Sequence, residues 1–123
     1  MKKGKKDGTD RRSDCPIACT LDLVGDKWSL LVIRDMLFFG KSSFNEFLDS
    51  SEKIATNILR DRLQKLTELG LISFTGPEKR KKYALTKTGL ALKPLLEEIA
   101  RFGMTHFKGS RKHVAKQLKA GKK

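Results

Sequence analysis

Two cysteines, one tryptophan, one tyrosine and three prolines are all that this chain of 123 residues holds of those types. Cys15 and Cys19 cannot form the multi-bridge framework that staples small secreted domains, and reduced thiols fit a cytoplasmic setting. No apolar run approaches the ~18 residues needed to cross a bilayer, so no membrane partner is expected. The opening MKKGKKDGTDRRSD is charged with no apolar stretch behind it, unlike a secretory leader. The histidines, His106 and His113, stand far from the cysteine pair and lack a carboxylate at ligand spacing, so no metal is expected. Gly25-Asp26-Lys27-Trp28-Ser29 resembles a phosphate loop only loosely, without the preceding strand or the glycine spacing. No nucleophile, base and orienting group occur together, so the expectation is a protein that is not an enzyme and carries no cofactor.

Positive charge is what the chain has in excess. Lysine and arginine number 27 against 14 aspartate and glutamate, a formal charge of +13. Its placement says more than its size. Residues 1–14 hold six basic and three acidic residues, and 108–123 hold seven basic and none acidic. Residues 15–107 hold fourteen against eleven, and within them 41–87 hold ten against six, more than the whole of that excess. The length suits one domain with a single core. We therefore divide the chain into a basic flexible N-terminal tail at 1–13, a folded domain at 14–107 and a Lys-rich C-terminal tail at 108–123.

The folded part is organised around Ile54–Ile72. Ala55, Ile58, Leu59, Leu63, Leu66 and Leu69 recur at the spacing of an amphipathic helix, which Gly70 ends. Thr56, Asn57, Arg60, Asp61, Gln64 and Lys65 make its polar face. Asn, Arg and Gln side chains on such a helix can pair with purine edges in a major groove. A solvated helix would carry similar residues, so the neighbouring elements decide. A first helix is expected from Cys15-Pro16 to Gly25, with Ile17, Thr20, Leu21 and Val24 on one side. A second, buried and central, is expected from Asp26 or Lys27 to Phe38. Lys41-Ser42-Ser43 reads as a link with at most one strand pair, and Ser42 or Ser43 can cap a short helix carrying Phe44, Phe47 and Leu48. After the helix at 54–72, Ile72 and Phe74 alternate, Gly76-Pro77 turns, Glu78–Lys82 is a charged tip, and Tyr83 and Leu85 return as a strand. Thr86 can cap a final helix from about Lys87, kinked near Pro94. Its stripe of Leu92, Leu95, Leu96, Ile99, Phe102 and Phe107 is wider than so small a domain needs for its own core, which points to a second copy as partner, with packing back on the core as the other reading.

Two short helices joined by a polar turn and followed by a basic hairpin form a winged helix-turn-helix, mainly α with a small β-hairpin. In that order, Lys79, Arg80, Lys81 and Lys82 on the hairpin tip are expected to touch phosphates, as are Ser43 and Lys53 beside the helix. Thr56, Asn57, Arg60 and Gln64 are expected to read bases.

CPIACTLDLVGDKWSLLVIRDMLFFGKSSFNEFL, IATNILRDRLQKLTELGLI and YALTKTG resemble the HxlR family of bacterial winged-helix regulators, relatives of the MarR group, over about residues 14–107. The resemblance implies a homodimer whose N- and C-terminal helices form the interface, here Ile17, Leu21, Leu95, Ile99, Phe102 and Phe107. It implies control, most simply repression, of a nearby promoter through double-stranded DNA. It places Thr56, Asn57 and Arg60 on the recognition helix and Lys79–Lys82 on the wing, whose tip is shorter than in many relatives. Many relatives carry Ser where this chain has Ala55, which leaves the helix cap to Thr56. Several relatives sense oxidants or electrophiles through a cysteine at the position of Cys15. A thiol at a helix N-terminus suits that role, and a small apolar side chain at the dimer contact is the other reading of Cys15. No effector is legible. The competing function is non-specific nucleic-acid or nucleoid-associated binding driven by the Lys-rich tails.

Overall fold

Val32, Ile33, Met36 and Phe38 are buried on successive faces of one helix, which makes that helix the centre of the structure. The structure, a computed structural model, describes residues 13–107. The expected tails at 1–13 and 108–123 lie outside the described residues, Ser13 apart. In chain order the elements are α1 (Pro16–Val24), α2 (Ser29–Phe39), α3 (Phe44–Leu48), α4 (Thr56–Glu68), β1 (Ile72–Thr75), β2 (Lys82–Leu85), α5 (Lys87–Leu90) and α6 (Lys93–His106). Around α2 pack Val24, Phe47, Ile54, Leu59, Leu63, Leu66, Leu71 and Ile72. Leu59, Leu63 and Leu66 are at most 2% exposed, so the apolar stripe of α4 is sealed against the core and its polar face points outward. Among the described residues no helix is long and apolar enough to cross a membrane.

Several expected boundaries move, each for a local reason. α2 starts at Ser29 rather than Asp26 or Lys27, because the Asp26 carboxylate stands outside the helix and accepts from the N–H groups of Trp28 and Ser29 at 3.0 Å each. Ser43, not Ser42, caps α3 in a reciprocal box with Glu46. The expected cap on Thr56 is not formed. Thr56 is the first helical residue of α4, and Ala55 stands at the cap position without a side-chain hydrogen bond. The expected single final helix is two. Thr86 caps α5 by accepting from the Gly89 N–H and donates to the Gly70 carbonyl, and the chain restarts as α6 with Pro94 in its first turn. There the missing N–H has no helical partner to lose. Gly89 is obligatory at this joint, since a Cβ would stand 2.0 Å from the Leu71 carbonyl oxygen.

β1 and β2 pair antiparallel in the register Ile72↔Leu85, Ser73↔Ala84, Phe74↔Tyr83, Thr75↔Lys82. The expected strand pair at the link before α3 amounts to one bond, from the Tyr83 N–H to the Ser42 carbonyl at 2.7 Å. Together with the edge-on contact of Phe47 and Tyr83, it ties the hairpin to α3.

α1 and α6 leave apolar surface uncovered. Ile17 is 71% and Leu21 54% exposed on α1, and Leu95, Ile99, Phe102 and Phe107 are all exposed on and after α6. Leu92 and Leu96 alone of that stripe pack against the core.

One charged cluster lies inside. Arg34 on α2 is 7% exposed and donates to Asp35 and, through both terminal nitrogens, to Glu52 in the turn before α4 at 2.8 and 2.9 Å. Lys41 stands 3.6 Å from Asp35. The Arg34 hydrogen bonds hold the Glu52 carboxyl at about 2, below its usual 4.5. Burial pushes the Asp35 carboxyl up. Glu52 is depressed in the fold, so its charge adds stability that is full above pH 4.5 and lost as the pH falls through about 2. Asp35 is raised, so its ionised form costs stability that protonation recovers. Arg34→Met removes the cation both carboxylates face. It should lower the unfolding free energy at pH 7 by about 3 kcal/mol, the low end for a broken buried pair because Glu52 is partly solvated. The deficit should narrow as denaturant melts are repeated from pH 7 towards pH 2. A variant as stable as the parent at pH 7 would mean that the cluster holds nothing in place.

Candidate nucleic-acid interface

The surface begins with how α4 is held. Between α3 and α4 the chain turns through hydrogen bonds from Asp49, Ser50 and Lys53 N–H groups to the carbonyls of Glu46, Phe47 and Ser50. Lys53 takes a left-handed conformation there, φ 56°, unusual for a residue with a side chain. Ser50 and Ile54 are buried on either side of it, and the Arg34–Glu52 pair fastens the same turn to α2. A second fastening sits on the flank of α4. Arg62 donates from Nε to Asp26 at 2.8 Å, with Lys65 4.0 Å from the same carboxylate. Burial works against the Asp26 charge, but hydrogen bonds from Ser29, Arg62 and the Trp28 and Ser29 amides outweigh it and hold the carboxyl well below the usual range. Asp26 and Arg62 are functional supports that local reading missed. The available signal was an acid in Gly-Asp-Lys-Trp and a basic residue next to the buried Leu63.

With its inner side fixed, α4 presents Thr56, Asn57, Arg60, Asp61 and Gln64 to solvent. Arg60 lies over the Phe44 ring of α3, 5.5 Å from its centroid. Gln64 donates its amide to Glu68 at 3.1 Å, one turn on. Lys65, expected on the outer face, is half-buried and turned towards Asp26. Ser43 uses its hydroxyl oxygen to accept from the Glu46 N–H, and Glu46 is drawn below its usual range by the Ser42 N–H first and the Ser43 N–H second.

The hairpin tip is a single 3-10 turn, Glu78–Arg80, entered through Gly76 at φ 93°. Lys79, Arg80 and Lys82 are exposed. Lys81 differs: it lies over the Phe74 ring at 4.3 Å and 3.5 Å from Glu78, so part of its charge is spent within the wing. Between α4 and the tip runs an open cleft of about 870 Å³ with Arg60, Gln64 and Ser43 on one side and Lys79–Lys82 on the other. The structure therefore gathers Arg60, Gln64, Ser43 and the four tip cations around one groove. Thr56, Asn57 and Lys53 belong to the turn and the N-terminal end of α4 and do not line it.

Cys15 lies away from this surface, exposed at the N-cap of α1, and Cys19 is half-buried one turn on. The Cys15 N–H donates to the Ser13 hydroxyl and the Cys19 thiol to the Ser13 carbonyl. Among the described residues, no group of three or more His, Cys, Asp or Glu side chains is placed to hold a metal ion. His106 stacks against Phe102 at 4.7 Å on the uncovered side of α6.

An exposed polar helix clamped on its apolar side, with a basic hairpin across a groove from it, is a winged helix-turn-helix surface. Comparisons with known proteins agree. Residues 23–111 match the family described as HxlR-like helix-turn-helix. YdeP of Bacillus subtilis, an uncharacterised HTH-type transcriptional regulator, is 31% identical over 108 residues, covering 82% of this chain and 84% of that protein. A crystal structure of a candidate MarR-family transcriptional regulator from Porphyromonas gingivalis W83 is 31% identical with a TM-score of 0.66, covering 77% of this chain and 95% of its own. The redox regulator HypR in its oxidised form is 28% identical with a TM-score of 0.63, covering 75% and 97% of the two chains. The chain belongs to the HxlR-like helix-turn-helix family of transcriptional regulators.

Proposed function

We propose that this regulator binds operator DNA sequence-specifically as a dimer, with α4 in the major groove and the wing on the flanking backbone, and represses the promoter it covers. The observation that carries the reading is the two-sidedness of α4. Leu59, Leu63 and Leu66 are sealed inside while Thr56, Asn57, Arg60 and Gln64 face solvent, and Arg60 and Gln64 share a groove with Lys79, Arg80 and Lys82. Amide and guanidinium groups on such a face match purine edges, and the tip cations match phosphates. Repression needs nothing beyond occupancy of promoter DNA, in the cytoplasm of a bacterial cell. The competing reading, a non-specific binder driven by its Lys-rich ends, makes a different demand. Duplexes selected from a random pool should bind at least ~10³-fold more tightly than scrambled ones at fixed salt. Arg60→Ala should erase that preference, whereas removal of 108–123 should weaken binding to every duplex alike and flatten the salt dependence. The converse pattern would hand the function to the tails.

Dimerisation is supported by the uncovered Ile17 and Leu21 on α1 and Leu95, Ile99, Phe102 and Phe107 at the other end of the domain. Burying these on a second copy would give twofold symmetry and half-sites about 10 base pairs apart. Ile99→Glu, at a residue 48% exposed, should leave the fold intact and sediment as a monomer. A parent that is itself monomeric at micromolar concentration would refute the dimer.

Cys15 is proposed as an oxidant or electrophile sensor because it is exposed at the head of α1, the helix that carries the uncovered Ile17 and Leu21, and because a relative of similar fold is a redox regulator. Oxidant should lower operator affinity in the parent and not in Cys15→Ser. An equal response in both would dismiss the idea.

A further inference from the structure

Phe44 packs against the edge of the core and also lines the groove, so only part of its ring is used inside. Phe47, one turn further along α3, is 1% exposed and fills the core, whereas Phe44 is half-buried at the edge of the groove with the Arg60 guanidinium above its ring. Its backbone is fixed from behind. Ser43 and Glu46 close a capping box around the first turn of α3, and Glu46 also accepts from the Ser42 N–H at 2.7 Å. The backbone that carries the ring is therefore held in place, while the arginine above it is a long side chain with large rotamer freedom.

Stacking and base reading use different parts of a guanidinium. Its flat face rests on an aromatic ring, and its N–H groups project in the plane, where the O6 and N7 of a guanine can receive a bidentate pair. An arginine already held against the ring loses less freedom when it meets the base. We propose that Phe44 is a positioning residue that presents Arg60 to a guanine in the major groove, so that α3 sets part of the sequence preference of α4. This rests on the proposed role of α4 as the reading helix.

The test compares the parent with Phe44→Leu, Phe44→Met, Phe44→Tyr, Arg60→Ala and the Phe44→Leu/Arg60→Ala pair. The probes are the duplex selected from a random pool by the parent, its single-base variants and a scrambled duplex at one salt concentration, with thermal melts of each protein alongside. Leu and Met keep apolar volume but remove the ring, and should lower affinity for the selected duplex about two- to five-fold, the scale of an exposed cation–π contact. Binding to the scrambled duplex should be unchanged. The loss should concentrate at the one base pair whose preference Arg60→Ala abolishes, Tyr should restore it, and Leu should cost nothing further in the Arg60→Ala background. Equal weakening on all duplexes, or the same cost with and without Arg60, would show that the ring acts through the packing of α3 and overturn the proposal. Should Leu and Met prove unstable, Phe44→Tyr with weakened base preference would overturn it as well. A parent with no preferred duplex overturns this inference and the operator-binding reading together, whereas a preferred duplex indifferent to the ring overturns this inference alone.

Discussion

One carboxylate joins the two helices on which the structure depends. Asp26 precedes α2 and accepts from the Trp28 and Ser29 N–H groups at its head, and the same carboxylate receives Arg62 from the flank of α4, 36 residues later. A helix that reads DNA must keep its outer face at a fixed attitude while its inner face carries no information. Hydrophobic burial of Leu59, Leu63 and Leu66 holds α4 down but is indifferent to small rotations about its axis. The directional bonds to Asp26, and those from Arg34 to Glu52 in the turn before it, remove that freedom. Both pairs reach back to α2, the most buried helix, so the attitude of the exposed face is set from the centre of the molecule.

The wing is fixed by a separate and more apolar chain of contacts. Phe47 in the core meets Tyr83 edge-on, Tyr83 meets Phe74 at 5.9 Å across the strands, and Lys81 closes the series over Phe74. The hairpin has only two strands, which are marginal alone in water, so Ile72 in the core, this aromatic series and the Ser42–Tyr83 bond together hold it in place. The cleft between wing and α4 is thus bounded by two elements, each tied to α3 or α2.

The parts legible in the sequence are those encoded by spacing. The apolar positions of α4 at three and four residues directly specify a face, and the alternation around Gly76-Pro77 specifies a hairpin, so the winged architecture and the outward Asn57 and Arg60 followed from the residues alone. What was illegible depends on partners distant in the chain or on backbone geometry. Arg62 looks like any basic residue on a polar helix until Asp26 is beside it. The Thr56 cap, expected because Ala55 stands where relatives carry Ser, is not formed, since the chain enters the helix one residue earlier, with Ala55 at the cap position. The joint between α5 and α6 was read as a kink because the tight approach of Gly89 to the Leu71 carbonyl exists only in three dimensions. The Arg34-Asp35 pair on α2 takes its meaning from Glu52, 18 residues later.

The central claim is that the solvent face of α4 and the hairpin tip form one DNA-binding surface while the rest of the domain serves to orient it. Amide chemical shifts of the labelled protein, followed as a selected duplex is added, test that claim most directly. The account predicts the largest changes along Thr56–Gln64 and Lys79–Lys82, with the buried positions of α2 little affected. Changes confined to α1, α6 or the chain ends, with the α4 face undisturbed at saturation, would contradict it.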